Sequence, residues 1–116
     1  MNERDESLLL NIKDEAEILL KMVDGCEFHD FLSNEEKKRA VSMTLINIGE
    51  SVKALSEGFK QENQDIKWRA ISALRNIAAH NYQGLHMEDI WEIVTEDVPK
   101  LLEQVKGILN AEGVEE

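Results

Sequence analysis

Apolar residues recur along this chain at alternating intervals of three and four, the spacing that lays side chains down one face of an α-helix. Leu8 or Leu9, Ile12, Ala16, Leu19 or Leu20 and Val23 mark a first helix from about Asp5 to Val23. Asp24-Gly25 closes it, because glycine accepts the left-handed conformation common just past a helix end. Cys26 to Leu32 reads as a connection, and Ser33-Asn34-Glu35-Glu36 as a capping box with Ser33 as N-cap and Glu36 reaching back. The second helix carries Val41, Leu45, Ile48, Val52, Leu55 and Phe59 in one stripe. Gly49 sits inside it at a cost of about 1 kcal/mol relative to alanine. Such a glycine implies either a closely packed neighbouring backbone or a position beside a site.

Lys60 to Gln64 is a polar linker, and Asp65 is the expected N-cap of a third helix beginning near Ile66. Trp68, Ile71, Leu74 and either Ile77 or Ala78 are its core positions, and it should stop near Asn81, ahead of Gln83-Gly84. A fourth stripe runs through Met87, Trp91, Val94, Val98, Leu101, Val105 and Ile108, with Pro99 inside it. Proline lacks the backbone donor and crowds the preceding turn. This helix is therefore kinked, or split with Pro99 in the first turn of its second half. Four helices with short connections predict an all-α, up-and-down four-helix bundle, a single domain over residues 1–116. Apolar surface left over after one bundle closes would favour a homodimer.

Composition agrees with helices: glycine, proline and aromatic residues are scarce. The single cysteine, Cys26, has no intramolecular disulfide partner, and no secretory leader pattern opens the sequence, so a cytoplasmic protein is expected. Charges interrupt every apolar run before the roughly 18 residues needed to cross a bilayer, so no membrane role is expected. Cys26 and His29 form a possible ligand pair, but no second pair stands at metal-binding spacing, and neither metal nor cofactor is expected. No glycine-rich phosphate loop and no nucleophile elbow is present, which excludes kinases and serine hydrolases on motif grounds.

Charge changes the picture more. The net charge is -11, unfavourable for binding polyanions, yet no Asp or Glu occurs from Ile66 to Met87. That stretch holds Lys67, Arg69 and Arg75 together with His80 and His86. Within it, Arg75, Asn76, His80 and Tyr82 bring a permanent cation, an amide, a titratable base and a phenol into eight residues. Arginine offers a planar fork matched to phosphate oxygens, and histidine exchanges protons near neutral pH. Cleavage of RNA by its own 2′-hydroxyl needs a base for that hydroxyl and a cation for the developing phosphorane. His80 and Arg75 are the candidates. On a straight helix, however, Asn76 and His80 share a face while Arg75 and His80 lie about 140° apart. Convergence requires the helix to unwind near His80, Arg75 to reach around, or two copies of the motif to meet across a dimer. The plainer reading pairs Arg75 with a carboxylate such as Glu50, lets His80 cap the helix end and packs Tyr82 under the following loop.

The pattern Arg75-Asn76-x-x-x-His80-x-Tyr82 resembles the signature of HEPN domains, in the tyrosine-bearing form of HepT-like (DUF86) toxins. Ile48-Gly49-Glu50-Ser51-Val52-Lys53 resembles that family's Ile-Gly-Glu-Ala-x-Lys segment. Trp68 before the motif, Ile90-Trp91-Glu92-Ile93 and Asp97-Val98-Pro99-Lys100-Leu101 resemble its other landmarks in the same order. The linker before Trp68 lacks a proline often found there, and Ala78-Ala79 replaces bulkier residues. The resemblance implies the toxin of an HEPN/MNT toxin-antitoxin pair: a homodimeric, metal-independent endoribonuclease with Arg75 and His80 of both chains in a shared cleft. Asn76, Tyr82, Glu50 and Lys53 would support that cleft. It further implies a minimal nucleotidyltransferase antitoxin that AMPylates Tyr82, setting bulk and negative charge where RNA phosphate must sit. The alternative is a non-catalytic HEPN module that binds the nucleotidyltransferase and is modified by it.

Overall fold

The computed structural model describes residues 1–81 and 87–114, with backbone alone at His80 and Asn81. Helix α1 spans Glu3–Val23, opened by the Asn2 side chain, which accepts the Asp5 N–H at 2.7 Å, and followed by Gly25 at φ +70°. Of the paired candidates on its stripe, Leu9 and Leu19 are the fully buried ones, alongside Ile12 and Ala16.

The expected connection after Gly25 holds a short helix, α2, at Phe28–Ser33. The Asp30 side chain accepts the Glu27 N–H at 3.1 Å. Phe31 is fully buried and its ring lies 5.2 Å from that of Trp91, with Phe28 at 6.1 Å, so α2 plugs one end of the bundle. Six residues are too few to show a helical period. Because Ser33 ends α2 and donates its hydroxyl back to the His29 carbonyl at 2.9 Å, it is not the cap of the next helix. Asn34 is, accepting the Lys37 N–H at 2.9 Å, and helix α3 follows at Glu35–Ala54.

The second stripe is buried along its whole length, yet the helix breaks within it. Leu55 turns extended, and α4 (Glu57–Glu62) starts from a Ser56 cap. The cause lies 51 residues away: the buried Asp5 carboxylate accepts the Ser56 N–H at 2.9 Å and the Ser56 hydroxyl at 2.6 Å. An amide captured by a side chain no longer continues a helix.

Asp65 is not an N-cap either. The Trp68 indole donates to the Asn63 carbonyl at 2.9 Å and its ring packs on Phe59, which holds residues 63–67 in turns. Helix α5 then covers only Trp68–Ser72, and after a one-residue hitch at Ala73 helix α6 covers Leu74–Asn81. The expected third helix is thus two, and its anticipated stop near Gln83-Gly84 lies outside the described residues. Trp68, Leu74 and Ala78 are buried, with Ile71 and Ile77 packed partly against the core.

The last arm is split as proline requires. Helix α7 (Met87–Glu92) passes through a π-helical turn at Ile93–Asp97 into α8 (Val98–Ala111), whose first turn contains Pro99. The Val98 N–H reaches the Ile93 carbonyl five residues back, and Thr95 donates its hydroxyl to the Trp91 carbonyl at 2.9 Å. At the far end the buried stripe passes through Leu109, with Ile108 beside it.

Four long arms, α1, α3, α5–α6 and α7–α8, form an all-α bundle of 41 × 25 × 20 Å, with α2 and α4 at its corners. Helix α1 packs on α3 and α8, and α3 packs on α5 and α6. Along α1, Lys13 pairs with Glu17 at 3.0 Å, and Lys106 of α8 approaches the same carboxylate at 3.8 Å. The hydrogen bond from Lys13, and then the charges of Lys13, Lys106 and Lys21, hold the Glu17 carboxyl below the usual range, with burial opposing. Its contribution is present above the ordinary carboxylate pKa and fades as pH falls through the lowered one. Among the described residues no helix is long and apolar enough to cross a membrane.

Among the described glycines, Gly49 is the one pressed against other parts of the chain. A Cβ there would lie 2.9 Å from the Arg75 nitrogen, 3.0 Å from Arg75 Cβ and 3.1 Å from the Ser72 carbonyl oxygen. Of the two explanations open to this glycine, close packing holds, and it falls on the α5–α6 hitch.

Three outcomes follow for stability, all read from urea unfolding midpoints. Gly49→Ala should destabilise by about 1–3 kcal/mol through forced displacement of backbone, although alanine is the better helix former by about 1 kcal/mol. Asp5→Ala should cost about 1.5–3 kcal/mol by removing the charged acceptor of the Ser56 amide and hydroxyl. The double change Asp5→Ala, Ser56→Ala should cost less than the two single changes added together, since both remove one linkage.

Candidate active site at the α3–α6 seam

The seam between α3 and α6 is built from opposite sides. Helix α6 buries Leu74 and Ala78 in the core, leaving Arg75 and Asn76 exposed at its first turn. From α3, Gly49 admits the α6 backbone, and its neighbour Glu50 is carried to the edge of the same contact. There the Glu50 carboxylate accepts from Arg75 Nε, and Arg75 Nη1 donates to the Asn76 side-chain oxygen at 3.2 Å. Both partners of the ion pair are half exposed, so the pair contributes little to stability and much to where the guanidinium sits. Lys53, exposed one turn further along α3, adds a second cation on that side.

Following α3 back toward its start, Arg39, Ser42, Met43 and Ile46 line a shallow groove with Ala79 of α6. Ala79 advances along α6 as the α3 positions retreat, so the two helices run antiparallel. Met43 is 56% exposed, while the Ser42 hydroxyl is buried with no hydrogen-bond partner among the described residues. Neither Ser42 nor this groove was marked by the sequence, because a serine on a helix carries no signal of its surroundings.

Of the sequence-predicted site residues, the structure brings together Arg75, Asn76 and Glu50, with Lys53 nearby on α3. The Arg75–Glu50 contact is the one the plainer reading anticipated. His80 stands on the same helix, whose backbone stays α-helical through Asn81. Unwinding of the helix between Arg75 and His80, one of three routes that could bring them together, is therefore not the route taken. The Arg75 guanidinium is engaged by Glu50 of α3, and the His80 side chain lies outside the described residues. Tyr82 lies outside the described residues.

In the other sequence candidate, Cys26 with His29, the two side chains have different partners. The Cys26 thiol meets the carbonyl of Glu27 at 3.4 Å. His29 instead stands beside Glu27 and Asp30, at 3.6 and 3.2 Å, with all three side chains exposed at the start of α2. Exposed carboxylates around a surface histidine are ordinary for a helix start.

An exposed, oriented guanidinium beside an amide, on a helix that also carries a histidine, suits binding of a phosphate group. Comparison with known proteins points the same way. Residues 12–108 match the family model described as "Ribonuclease HepT-like". The protein named "Putative RNase TTE0752" from Caldanaerobacter subterraneus subsp. tengcongensis is 36% identical over 104 residues, covering 90% of this chain and 93% of that one. "Putative RNase MJ1380" from Methanocaldococcus jannaschii is 30% identical over 107 residues, covering 91% and 98%. "Probable ribonuclease HepT" from Thermococcus cleftensis is 30% identical over 101 residues, covering 87% and 92%. No solved structure gives a significant match. With a family model spanning most of its length and relatives that align nearly end to end, the chain belongs to the HepT-like family of HEPN proteins.

Proposed function

We propose that this protein is a metal-independent endoribonuclease acting as a homodimer in the cytoplasm, and the toxin of an HEPN/MNT toxin-antitoxin pair. One observation supports the dimeric site above all others. Helix α6 is unbroken from Leu74 to Asn81, so Arg75 and His80 leave its axis about 140° apart, which favours cooperation between two chains. The ribonuclease names carried by relatives aligned nearly end to end support the reaction class. The exposed Met43 and the groove beside Ala79 offer apolar surface next to α6 for a second copy.

In this reading His80 removes the proton of a ribose 2′-hydroxyl. The 2′ oxygen bonds to phosphorus, Arg75 holds the negative charge gathered on the phosphorane, and the bond to the 5′ oxygen breaks as that oxygen takes up a proton, supplied by the His80 imidazolium of either chain or by water. The products are a 2′,3′-cyclic phosphate and a free 5′-hydroxyl. Asn76 fixes one edge of the guanidinium, and Lys53 draws the RNA strand along α3. Tyr82, two residues beyond His80, is the acceptor of AMP from the nucleotidyltransferase antitoxin. The added phosphate charge then repels RNA from the cleft.

The net charge of -11 favours a second reading, in which the chain is a non-catalytic module docked on, and modified by, the nucleotidyltransferase.

The purified chain should cut RNA in the presence of EDTA and leave cyclic phosphate ends. Arg75→Ala and His80→Ala should each lower the rate by about 100-fold or more while the fold is retained. Equal cutting by His80→Ala, or abolition by EDTA, would overturn the proposed chemistry, and a wild-type chain that cuts nothing would leave the docking module. For the modification, intact mass after incubation with the nucleotidyltransferase and ATP should rise in steps of one AMP. Tyr82→Phe should show no rise, and a rise that persists in that variant would reassign the acceptor.

A further inference from the structure

The ion pair on the seam carries a further assignment, which rests on the ribonuclease reading. We propose that Glu50 is the positioning residue for Arg75: its carboxylate fixes the guanidinium so that the outer pair of nitrogens faces the scissile phosphate.

The donors of Arg75 can be followed individually. A guanidinium has five N–H donors in a rigid plane. Glu50 takes the one on Nε, and the Asn76 side-chain oxygen takes one on Nη1. Two contacts on different nitrogens fix both the plane and its rotation. The side-on approach to an oxyanion, through Nε and the adjacent Nη, is closed by Glu50. What remains is the end-on fork, a second Nη1 hydrogen and both on Nη2, which engages a phosphate through two of its oxygens.

Three features indicate that this carboxylate acts through Arg75 rather than for stability. The pair is half exposed on both sides, where an isolated surface ion pair contributes about 0–1 kcal/mol. A carboxylate next to a phosphate-binding cation weakens phosphate binding by like charge, so its presence runs against affinity. The stretch from Ile66 to Met87 contains no acidic residue of its own, and the carboxylate reaches Arg75 from α3. It is delivered there by Gly49, whose missing side chain lets the α3 backbone meet the Arg75 backbone. Because backbone is locked to backbone at one residue and carboxylate to guanidinium at the next, the orientation of Arg75 is referred to α3 as well as to its own short helix.

A simple competitor for Arg75 would predict the opposite sign, since removing it would free the cation and raise activity. The test measures steady-state cleavage of a short oligoribonucleotide by wild type, Glu50→Gln, Glu50→Asp, Glu50→Ala and Arg75→Ala, with the Arg75 Nε–H resonance followed in 15N spectra. Glu50→Ala should lower kcat by about 10- to 100-fold with KM little changed. Its Nε–H signal should merge with those of exposed arginines. Glu50→Asp, which keeps the charge and withdraws the oxygen, should fall with Glu50→Ala. Glu50→Gln, which keeps the acceptor oxygen and loses the charge, should restore most of kcat and the distinct resonance. A Glu50→Ala protein with wild-type or higher kcat, or Glu50→Asp rescuing where Glu50→Gln does not, would overturn the positioning role alone. Wild-type protein that does not cut, or cutting indifferent to Arg75→Ala, would overturn the ribonuclease reading and this assignment with it.

Discussion

Two backbones meet at Gly49, and no side chain beyond hydrogen fits between them. Interiors are close-packed, so a contact of this kind cannot be relaxed locally and transmits its geometry to whatever is attached. On one side it fixes the middle of α3, the arm that touches α1, α2, α5 and α6. On the other it fixes the hitch between α5 and α6, where the chain changes from the Trp68 helix to the motif helix. The positions of Glu50, Arg75 and Asn76 descend from that single approach.

The electrostatics of the molecule are organised around the same place. Acidic residues crowd the first turns of α1, α3 and α7, where they complement the positive ends of those helices. The segment that meets Gly49 is instead cationic, with Lys67, Arg69 and Arg75 and no acid of its own. Lys67 and Arg69 line a shallow surface at the start of α5 together with Lys60, while Arg75 stands at the α3 seam paired with Glu50.

Much of the bundle could be read from periodicity alone. The four stripes, the stop at Gly25 and the consequence of Pro99 all depend on residues close in sequence, where a 3.6-residue period or a missing donor speaks directly. The misplaced caps at Ser33 and Asp65, the unseen α2 and the break at Leu55 share a different cause. Each is decided by a partner far away or by an aromatic contact: Asp5 for Ser56, Asn63 and Phe59 for Trp68, Trp91 for Phe31. At the site, residue types and spacing named Arg75, Asn76 and His80, and the Ile-Gly-Glu segment named Glu50. The order of hydrogen bonds around the guanidinium was beyond reach, because it depends on how closely α3 approaches.

The π-helical turn before Pro99 places one more residue in that stretch than an α-helix of the same rise would hold. Were the same residues wound as an ordinary α-helix, the extra residue would rotate α7 by about 100° relative to α8. Met87 and Ile90 would leave the core, and Trp91 would leave the two phenylalanines of α2. Conversely, the wide turn draws the Val98 amide back to Ile93 and makes room for the proline ring one residue later. Pro99 has no amide to donate, so the wide turn and the proline together leave the first turn of α8 without the hydrogen bond that a continuous α-helix would make at position 99.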